Sequence, residues 1–218
     1  MKKAILYSFV VMLAMLSGCR KFPDTGEMDH EYIVRTNYDS SVSFGSFETY
    51  YIPDSVLLVT DQAKAQYWTD DNAMRLIDAV VTEMNDRGYT RSTVKADASL
   101  GIQLSYIEST YYFASYPGDY WWWGYPGYWG PGYWGGWGDW YYPYPIRYSY
   151  STNSLLMDVI DLTSPQGRAD SQLKVIWNAY ITGFQSRSTQ YNISRGVRAI
   201  EQAFTQSPYF IRNSSSNQ

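Results

Sequence analysis

A run of glycine, proline and aromatic residues from Tyr116 to Pro145 sets the strongest limit on the secondary structure of this chain. It contains the stretch WWWGYPGYWGPGYWGGWGDW, and Asp119 and Asp139 are its only charged residues. Glycine and proline recur every few positions, so neither an α-helix nor a clean central β-strand can persist there. We therefore predict a long loop or a loose hairpin extension of the flanking strands. The hydrophobic core must come from the sequence on either side.

Two amphipathic segments, one on each side of this run, predict two α-helices. Apolar residues recur every three or four positions, at Ala73, Met74, Ile77, Val80, Val81 and Met84 in the first and at Ile193, Val197, Ile200 and Phe204 in the second. Thr69 or Asp70 can cap the first helix, and Gly88 suits the position just past its end. Asn192 is the candidate cap of the second helix. Each helix has one apolar face, which must lie on a sheet.

Segments rich in β-branched and aromatic residues predict the strands of that sheet. They lie at residues 32–38, 47–52, 99–110, 155–162 and 173–182. The first two form either one interrupted strand or two short ones, the third alternates like a half-buried strand, and the last two form a hairpin. The element order favours an α+β fold, a two-layer sandwich with a mostly antiparallel sheet, two helices on one face and a long loop insert.

The N-terminal residues predict export and lipid anchoring. Lys2 and Lys3 precede an apolar stretch from Ala4 to Leu16, which is too short to span a bilayer comfortably. Leu16-Ser17-Gly18-Cys19 matches the bacterial lipobox, in which the cysteine is acylated and becomes the new N-terminus. Cys19 is the only cysteine, so the exported chain can form no internal disulfide. An ordinary secretory signal with a chance cysteine is the alternative.

These features predict the division of the chain. Residues 1–18 form a lipoprotein signal peptide, residues 19–31 the lipidated cysteine and a tether, residues 32–210 a single α+β domain with the insert at 116–145, and residues 211–218 a disordered tail. Arg20, rather than an aspartate, follows the cysteine, which by bacterial sorting rules is compatible with the outer membrane. No acidic surface-export cluster follows, which favours the side that faces the periplasm.

Charge argues against a nucleic-acid partner. The formal net charge is -4, and removal of the signal peptide takes away two lysines and no acid. No local cluster of lysine and arginine compensates. The expected contact is with the membrane, through the lipid anchor.

The residues that catalysis needs are scarce, and we predict no enzyme, no cofactor and no metal site. His30 is the only histidine; it lies in the tether and lacks companions for a metal site or a Ser-His-Asp triad. Asp158 and Asp161 could serve a carboxylate-based hydrolase, the one enzymatic alternative. They lie three positions apart on a strand and therefore point to opposite faces. We expect Asp158 to face solvent and Asp161 to begin the hairpin turn.

Several motifs carry a family resemblance. They are NYDSSVSFGSFETYYIPD near the start, NDRGY at the end of the first helix, DASLGIQLSY in the following strand, LLMDVIDLTSPQGRADSQLKVIWNAYITG in the hairpin, and the closing helix. Together they resemble the lipoproteins of the domain of unknown function 4136 family, in which a Gly/aromatic-rich stretch commonly interrupts the same place. The family usually has a small residue after the hairpin tryptophan, where this chain has Asn178. The resemblance implies the fold but no activity.

Seven tryptophans of the insert are the candidate binding residues: Trp121, Trp122, Trp123, Trp129, Trp134, Trp137 and Trp140. Three interpretations stay open. The rings pack on one another in a low-complexity insert, they stack on sugars of envelope glycans such as peptidoglycan, or they enter a membrane interface or another envelope protein. We predict a lipid-anchored cell-envelope protein with a non-catalytic binding or structural role and glycan binding as the alternative.

Overall fold

Strands and helices follow one another in a computed structural model that describes residues 32–60, 64–108, 139–144, 153–163, 172–184 and 190–212. The strands are β1 (Ile33–Tyr38), β2 (Thr49–Tyr51), β3 (Val56–Val59), β4 (Gln66–Trp68), β5 (Thr90–Arg91), β6 (Leu100–Ile107), β7 (Asp139–Tyr141), β8 (Ser154–Asp161) and β9 (Gln172–Thr182). The helices are α1 (Asp71–Asp86) and α2 (Gln190–Thr205). The predicted α+β fold is confirmed.

Four strands form the centre of the sheet. They lie side by side in the order β1-β9-β8-β6, and each neighbouring pair is antiparallel. β8 and β9 are the predicted hairpin, and their bounds differ from the predicted ones by no more than one residue. These strands are rich in β-branched and large apolar residues, which suit a strand that is covered on its faces.

Short strands extend this centre on both sides and make the sheet mixed. β2 and β3 run parallel to β6, β2 along its first residues and β3 along its last, while β4 and β5 pair outside them. β7 runs parallel to β9 along its first residues, on the side where β1 follows. Two strands thus lie in line beside β6, namely β2 and β3, and two lie in line beside β9, namely β1 and β7.

The structure decides between the two interpretations of residues 32–38 and 47–52. They are two separate strands at opposite sides of the sheet, since β1 pairs with β9 and β2 pairs with β6. β3, β4 and β5 were not predicted from the sequence. β3 is the apolar run Val56 to Val59, buried at all four positions, so it shows no alternation by which a strand could be recognised.

Both ends of α1 are as the sequence predicts. Asp70 is the cap, because its Oδ1 accepts from the backbone N–H groups of Asn72 and Ala73 at 2.9 and 3.1 Å. Past the other end, Gly88 has φ +87° and its N–H donates to the Asn85 carbonyl at 2.9 Å. The prediction for α2 is wrong at its start. The helix begins at Gln190, and Asn192 is a buried residue of its first turn, because an apolar stripe marks a helix face but not where the helix begins.

Both helices pack on one face of the sheet. Leu76, Ile77 and Val80 of α1 share a buried cluster with Ile200 and Phe204 of α2 and with the sheet residues Leu100, Ile102, Leu104, Tyr106, Met157, Val159 and Trp177. The chain after α2 closes this cluster, since Phe210 is fully buried against Trp177. Ile211 and Arg212, which we predicted to belong to the disordered tail, are placed as well, and Arg212 donates to Glu48 at 2.8 Å.

Replacement of Gly88 by alanine tests the end of α1. A Cβ would fit there, because its nearest neighbour would be the Arg212 Cβ at 3.7 Å. The cost is therefore conformational, about 1–2 kcal/mol for an L-residue with positive φ. Urea unfolding should show that loss for Gly88→Ala and a smaller one for Gly88→Asn, since asparagine tolerates this conformation. Equal losses for the two variants would contradict this explanation.

Alkaline pH should destabilise the domain through its buried tyrosines. Burial raises the pKa of Tyr50 to about 12 and also raises the pKa of Tyr89. Unfolded tyrosine ionises near pH 10, so between about pH 10 and 12 the folded chain holds protons that the unfolded chain has lost. The free energy of unfolding should fall as the pH rises through this window, and this contribution should be fully present below it.

Tyr50→Phe should make that decline shallower. At neutral pH the variant should lose about 1 kcal/mol, because the Tyr50 hydroxyl donates to Asn85 at 3.0 Å and lies 3.3 Å from the Val81 carbonyl. Urea unfolding at neutral pH and at several values between pH 10 and 12 measures both effects. Tyr67→Phe, at a site that is 45% exposed, is the control. An unchanged slope for Tyr50→Phe would refute the assignment.

Candidate functional site

The sheet is buried on both faces, and α1 and α2 pack on only one of them. All eight residues of β6 are buried, which corrects the prediction of a half-buried strand. Its even-numbered side chains join the cluster under the helices, and Ile107 joins a second cluster on the opposite side. No helix of the described residues packs on this opposite side, which we call the helix-free face. Its apolar residues are Leu57, Val59, Leu156, Ile160, Leu173 and Val175, with Tyr142 and Tyr180.

A row of polar side chains crosses the middle of the helix-free face. Gln103 of β6 lies opposite Asp158 of β8, and Asp158 lies opposite Asn178 of β9. Asn178 in turn lies opposite Asn37 of β1. Directly opposed residues project to the same face, so these four, which we call the polar row, are neighbours. Gln103, Asp158 and Asn178 are at most 5% exposed.

Two tyrosines that follow β7 reach this row. The Tyr142 hydroxyl donates to Asp158 Oδ1 at 3.0 Å, and the Tyr144 hydroxyl lies 3.5 Å from Asn178 Oδ1. Their rings meet edge to face, with centroids 5.7 Å apart. We call residues 142–144 the tyrosine arm. Tyr142 is 6% exposed and belongs to the buried interior of this face, whereas Tyr144 is partly exposed and Pro143 is exposed.

Hydrogen bonds within the sheet complete the pattern. Asn37 Nδ2 donates to Asn178 Oδ1 at 3.4 Å, and Gln103 Nε2 donates to the Ser105 hydroxyl at 3.4 Å. Nearer the start of β8, the hydroxyls of Ser154 and Tyr180 are 3.1 Å apart. A buried polar group without a partner costs about 1–3 kcal/mol, so these bonds make the buried row tolerable. Among the described residues, the shortest bond that reaches the row from outside the four central strands is the one from Tyr142 to Asp158.

An ion pair joins the strands at the edge beside the arm. Asp39, just after β1, donates its backbone N–H to the Ile176 carbonyl at 2.9 Å, where β9 bulges. Its Oδ2 pairs with Lys174 Nζ at 2.5 Å, and Lys174 lies opposite Tyr141 of β7. Burial alone would raise the pKa of Asp39, but hydrogen bonds from Lys174 and Ser41 and the lysine charge outweigh it and hold the pKa below its ordinary value.

The two carboxylates considered for hydrolysis do not converge. Asp158 is 1% exposed, so the prediction that it faces solvent is wrong; that prediction assumed a strand covered on one face only. Asp161 accepts from the backbone N–H and the hydroxyl of Thr163 at 2.7 and 2.6 Å, as expected for the residue that begins the turn. Since residues three apart on a strand point to opposite faces, the pair offers no common substrate position.

The end of the predicted loop insert forms a strand. Asp139, Trp140 and Tyr141 pair in parallel with Gln172, Leu173 and Lys174 of β9. We predicted that no central strand could persist in this run. These three residues can form a strand because they contain neither glycine nor proline, and they pair with β9 without lying between two of the four central strands. Of the predicted stacking residues, only Trp140 is described, by its backbone. Trp121, Trp122, Trp123, Trp129, Trp134 and Trp137 lie outside the described residues, as do Cys19 and His30.

Neither a metal cluster nor a membrane span is found in the part of the chain that the structure describes. No group of three or more histidine, cysteine, aspartate or glutamate side chains there could hold a metal ion. Within the same residues, no helix is long and apolar enough to cross a membrane. The chemistry that the helix-free face supports is hydrogen bonding between buried amide, carboxylate and hydroxyl groups.

Gln103, Tyr142 and Tyr144 were not predicted as site residues, and Asn178 was noted only as a departure from the family pattern. The alternation of polar and apolar residues in β6 suggested that one face of this strand meets solvent. The same alternation also occurs when that face is covered by protein. Tyr142 and Tyr144 were grouped with the aromatic run. A sequence signal did exist, because Tyr142 and Tyr144 lie at the end of the aromatic run, in a segment that lacks glycine. Only the register of four strands brings the members of the polar row together.

Comparisons with known proteins identify the family. The family model described as Domain of unknown function (DUF4136) matches residues 34–209. The crystal structure of a DUF4136 family protein from Bacteroides thetaiotaomicron is similar, with 45% sequence identity and a TM-score of 0.77 over 84% of this chain and 99% of that chain. No curated protein matches. The match covers both helices and the polar row, and the chain belongs to the DUF4136 family.

Proposed function

We propose that this chain is a lipid-anchored protein of the bacterial outer membrane, facing the periplasm, whose domain holds the aromatic insert as a non-catalytic binding surface. The observation that carries the proposal is the attachment of the insert at its C-terminal end. β7 pairs with β9, and the tyrosine arm bonds to the polar row. This attachment holds the C-terminal end of the insert in a defined place on the sheet.

The positions of the flanking strands support a surface of considerable length. β6 ends at Ile107, at the level of the end of β9, whereas β7 starts opposite Gln172, at the beginning of β9. Ten residues of β9 separate the two levels, which corresponds to about 33 Å. The chain therefore leaves β6 near one end of the sheet and rejoins the sheet at the other.

Envelope glycans are the ligand class that suits the composition of the insert. Flat aromatic rings on a glycine and proline backbone stack on sugar rings, and tyrosine and tryptophan provide large contact areas at low entropic cost. The net negative charge argues for neutral stacking rather than ionic capture. A second envelope protein is the other partner that this surface could accept.

Acylation is tested at Cys19. In cells fed labelled palmitate, Cys19→Ala should abolish the label and shift the chain from the membrane fraction, since a multiply acylated cysteine anchors far more stably than one acyl chain. Lys21→Ala, which leaves the lipobox intact, is the matched control and should keep both properties. Label retained on the Cys19→Ala variant would refute lipid anchoring.

Glycan binding is tested by isothermal titration calorimetry, a measurement that does not depend on the tryptophans of the insert. The chain from Arg20 onward is titrated with peptidoglycan fragments and envelope polysaccharides, beside a variant in which residues 121–137 are replaced by a Gly/Ser linker of equal length. This variant keeps β7 and the tyrosine arm. Saturable binding should be lost in the linker variant and kept in Tyr67→Ser, an exposed tyrosine on β4. The absence of any response in the unaltered chain would contradict glycan recognition.

A further inference from the structure

We infer that Asp158 and Asn178 are positioning residues, whose side chains set the register of β7 and the placement of the tyrosine arm. The consequence for ligand binding rests on the function proposed above, but the register itself does not. The site consists of described residues alone: Asp158 and Asn178 of the polar row, and Tyr142 and Tyr144 of the arm.

The ladder between β7 and β9 is too short to determine its own register. It contains three residue pairs, from Asp139 opposite Gln172 to Tyr141 opposite Lys174. A shift by two residues would keep every side chain on the same face, because the side-chain period of a strand is two. The apolar residues beside the arm, such as Leu156 and Ile160, offer contacts that are not directional. Neither the short ladder nor the apolar contacts therefore distinguish strongly between the native register and the register shifted by two residues.

The hydrogen bond to Asp158 does distinguish them. A shift by two residues moves the Tyr142 hydroxyl by about 6.6 Å, whereas the bond is 3.0 Å long and hydrogen bonds weaken steeply outside a narrow range. Tyr142 would then leave a 1% exposed carboxylate with one partner fewer. A buried acceptor that loses its donor costs more than a surface one, so the native register is favoured.

The spacing of the arm matches the spacing of the row. Tyr142 and Tyr144 are two positions apart, the chain bends at Pro143 and Tyr144, and both hydroxyls lie at the row. Pro143 between them fixes its own φ and restricts Tyr142 to extended conformations. Their two acceptors, on Asp158 and Asn178, are directly opposed on neighbouring strands, about 5 Å apart. The preordered arm can therefore contact both acceptors at once.

Disulfide trapping measures the register directly. Two pairs of substitutions are made in the full chain carrying Cys19→Ser, so that the introduced cysteines are the only thiols. Asp139→Cys with Gln172→Cys reports the native register, and Asp139→Cys with Lys174→Cys reports the register shifted by two. In the otherwise unaltered chain, mild oxidation should cross-link the first pair in large excess over the second.

Loss of the hydrogen bond should reduce that excess. Tyr142→Phe removes only the hydroxyl, and Asp158→Leu removes the acceptor at similar volume; each should lower the ratio of native to shifted cross-link by up to about tenfold, the upper end of the usual range for one hydrogen bond. Asn178→Leu should lower it less, because its contact with Tyr144 is longer. Tyr180→Phe is the matched control, since it removes a buried hydroxyl bond on the same face that does not involve the arm.

The outcomes separate the alternatives. A lower ratio for Tyr142→Phe and Asp158→Leu, with Tyr180→Phe unchanged, supports the inference. An unchanged ratio for Tyr142→Phe overturns it, and so does an equal fall for the Tyr180→Phe control, which would indicate general loosening of the face. Tyr142→Phe keeps its ring and tests the inference even if Asp158→Leu fails to fold. If the unaltered chain binds no glycan, the proposed function fails while the trapping result still stands.

Discussion

β8 is paired along nearly its whole length on both sides, with β6 and with β9. The strands that pair with β6 and β9 are positioned along the sheet by these two ladders. β2 and β3 lie along β6, and β1 and β7 lie along β9. Because backbone groups buried in a sheet must find partners within it, a strand paired on both sides leaves little freedom to its neighbours. The register of β8 places Gln103, Asp158 and Asn178 side by side.

The two faces of this sheet are stabilised differently. Under the helices, the cover is apolar and aromatic: Trp177 stacks on Phe204 with centroids 5.3 Å apart, and its Nε1 donates to Ser207 at 2.9 Å. On the helix-free face, apolar residues surround a polar row that the tyrosine arm reaches. Apolar contact tolerates small displacements, whereas hydrogen bonds require defined distances. The first face provides most of the burial, and the second provides directional contacts where the insert rejoins the sheet.

Much of the fold could be predicted because its signals are local. The stripe on α1, the cap at Asp70, the glycine at position 88 and the hairpin of β8 and β9 each depend on residues a few positions apart. The predictions failed where the signal depends on distant sequence. β3 lacks alternation because it is buried on both faces, and Asp158 was assigned to solvent because a second covered face cannot be inferred from one strand.

Local patterns in the sequence were sufficient for the fold class, the two helices and their faces, the hairpin, the family resemblance and the position of the aromatic insert, because periodicity, capping and composition act over short distances along the chain. The three-dimensional structure was needed to show that residues 32–38 and 47–52 lie on opposite sides of the sheet, that Asp158 is buried, and that Tyr142 and Tyr144 contact Asp158 and Asn178. These facts depend on strand order and register, which follow from the simultaneous burial of both faces and from backbone pairing between segments far apart in the chain.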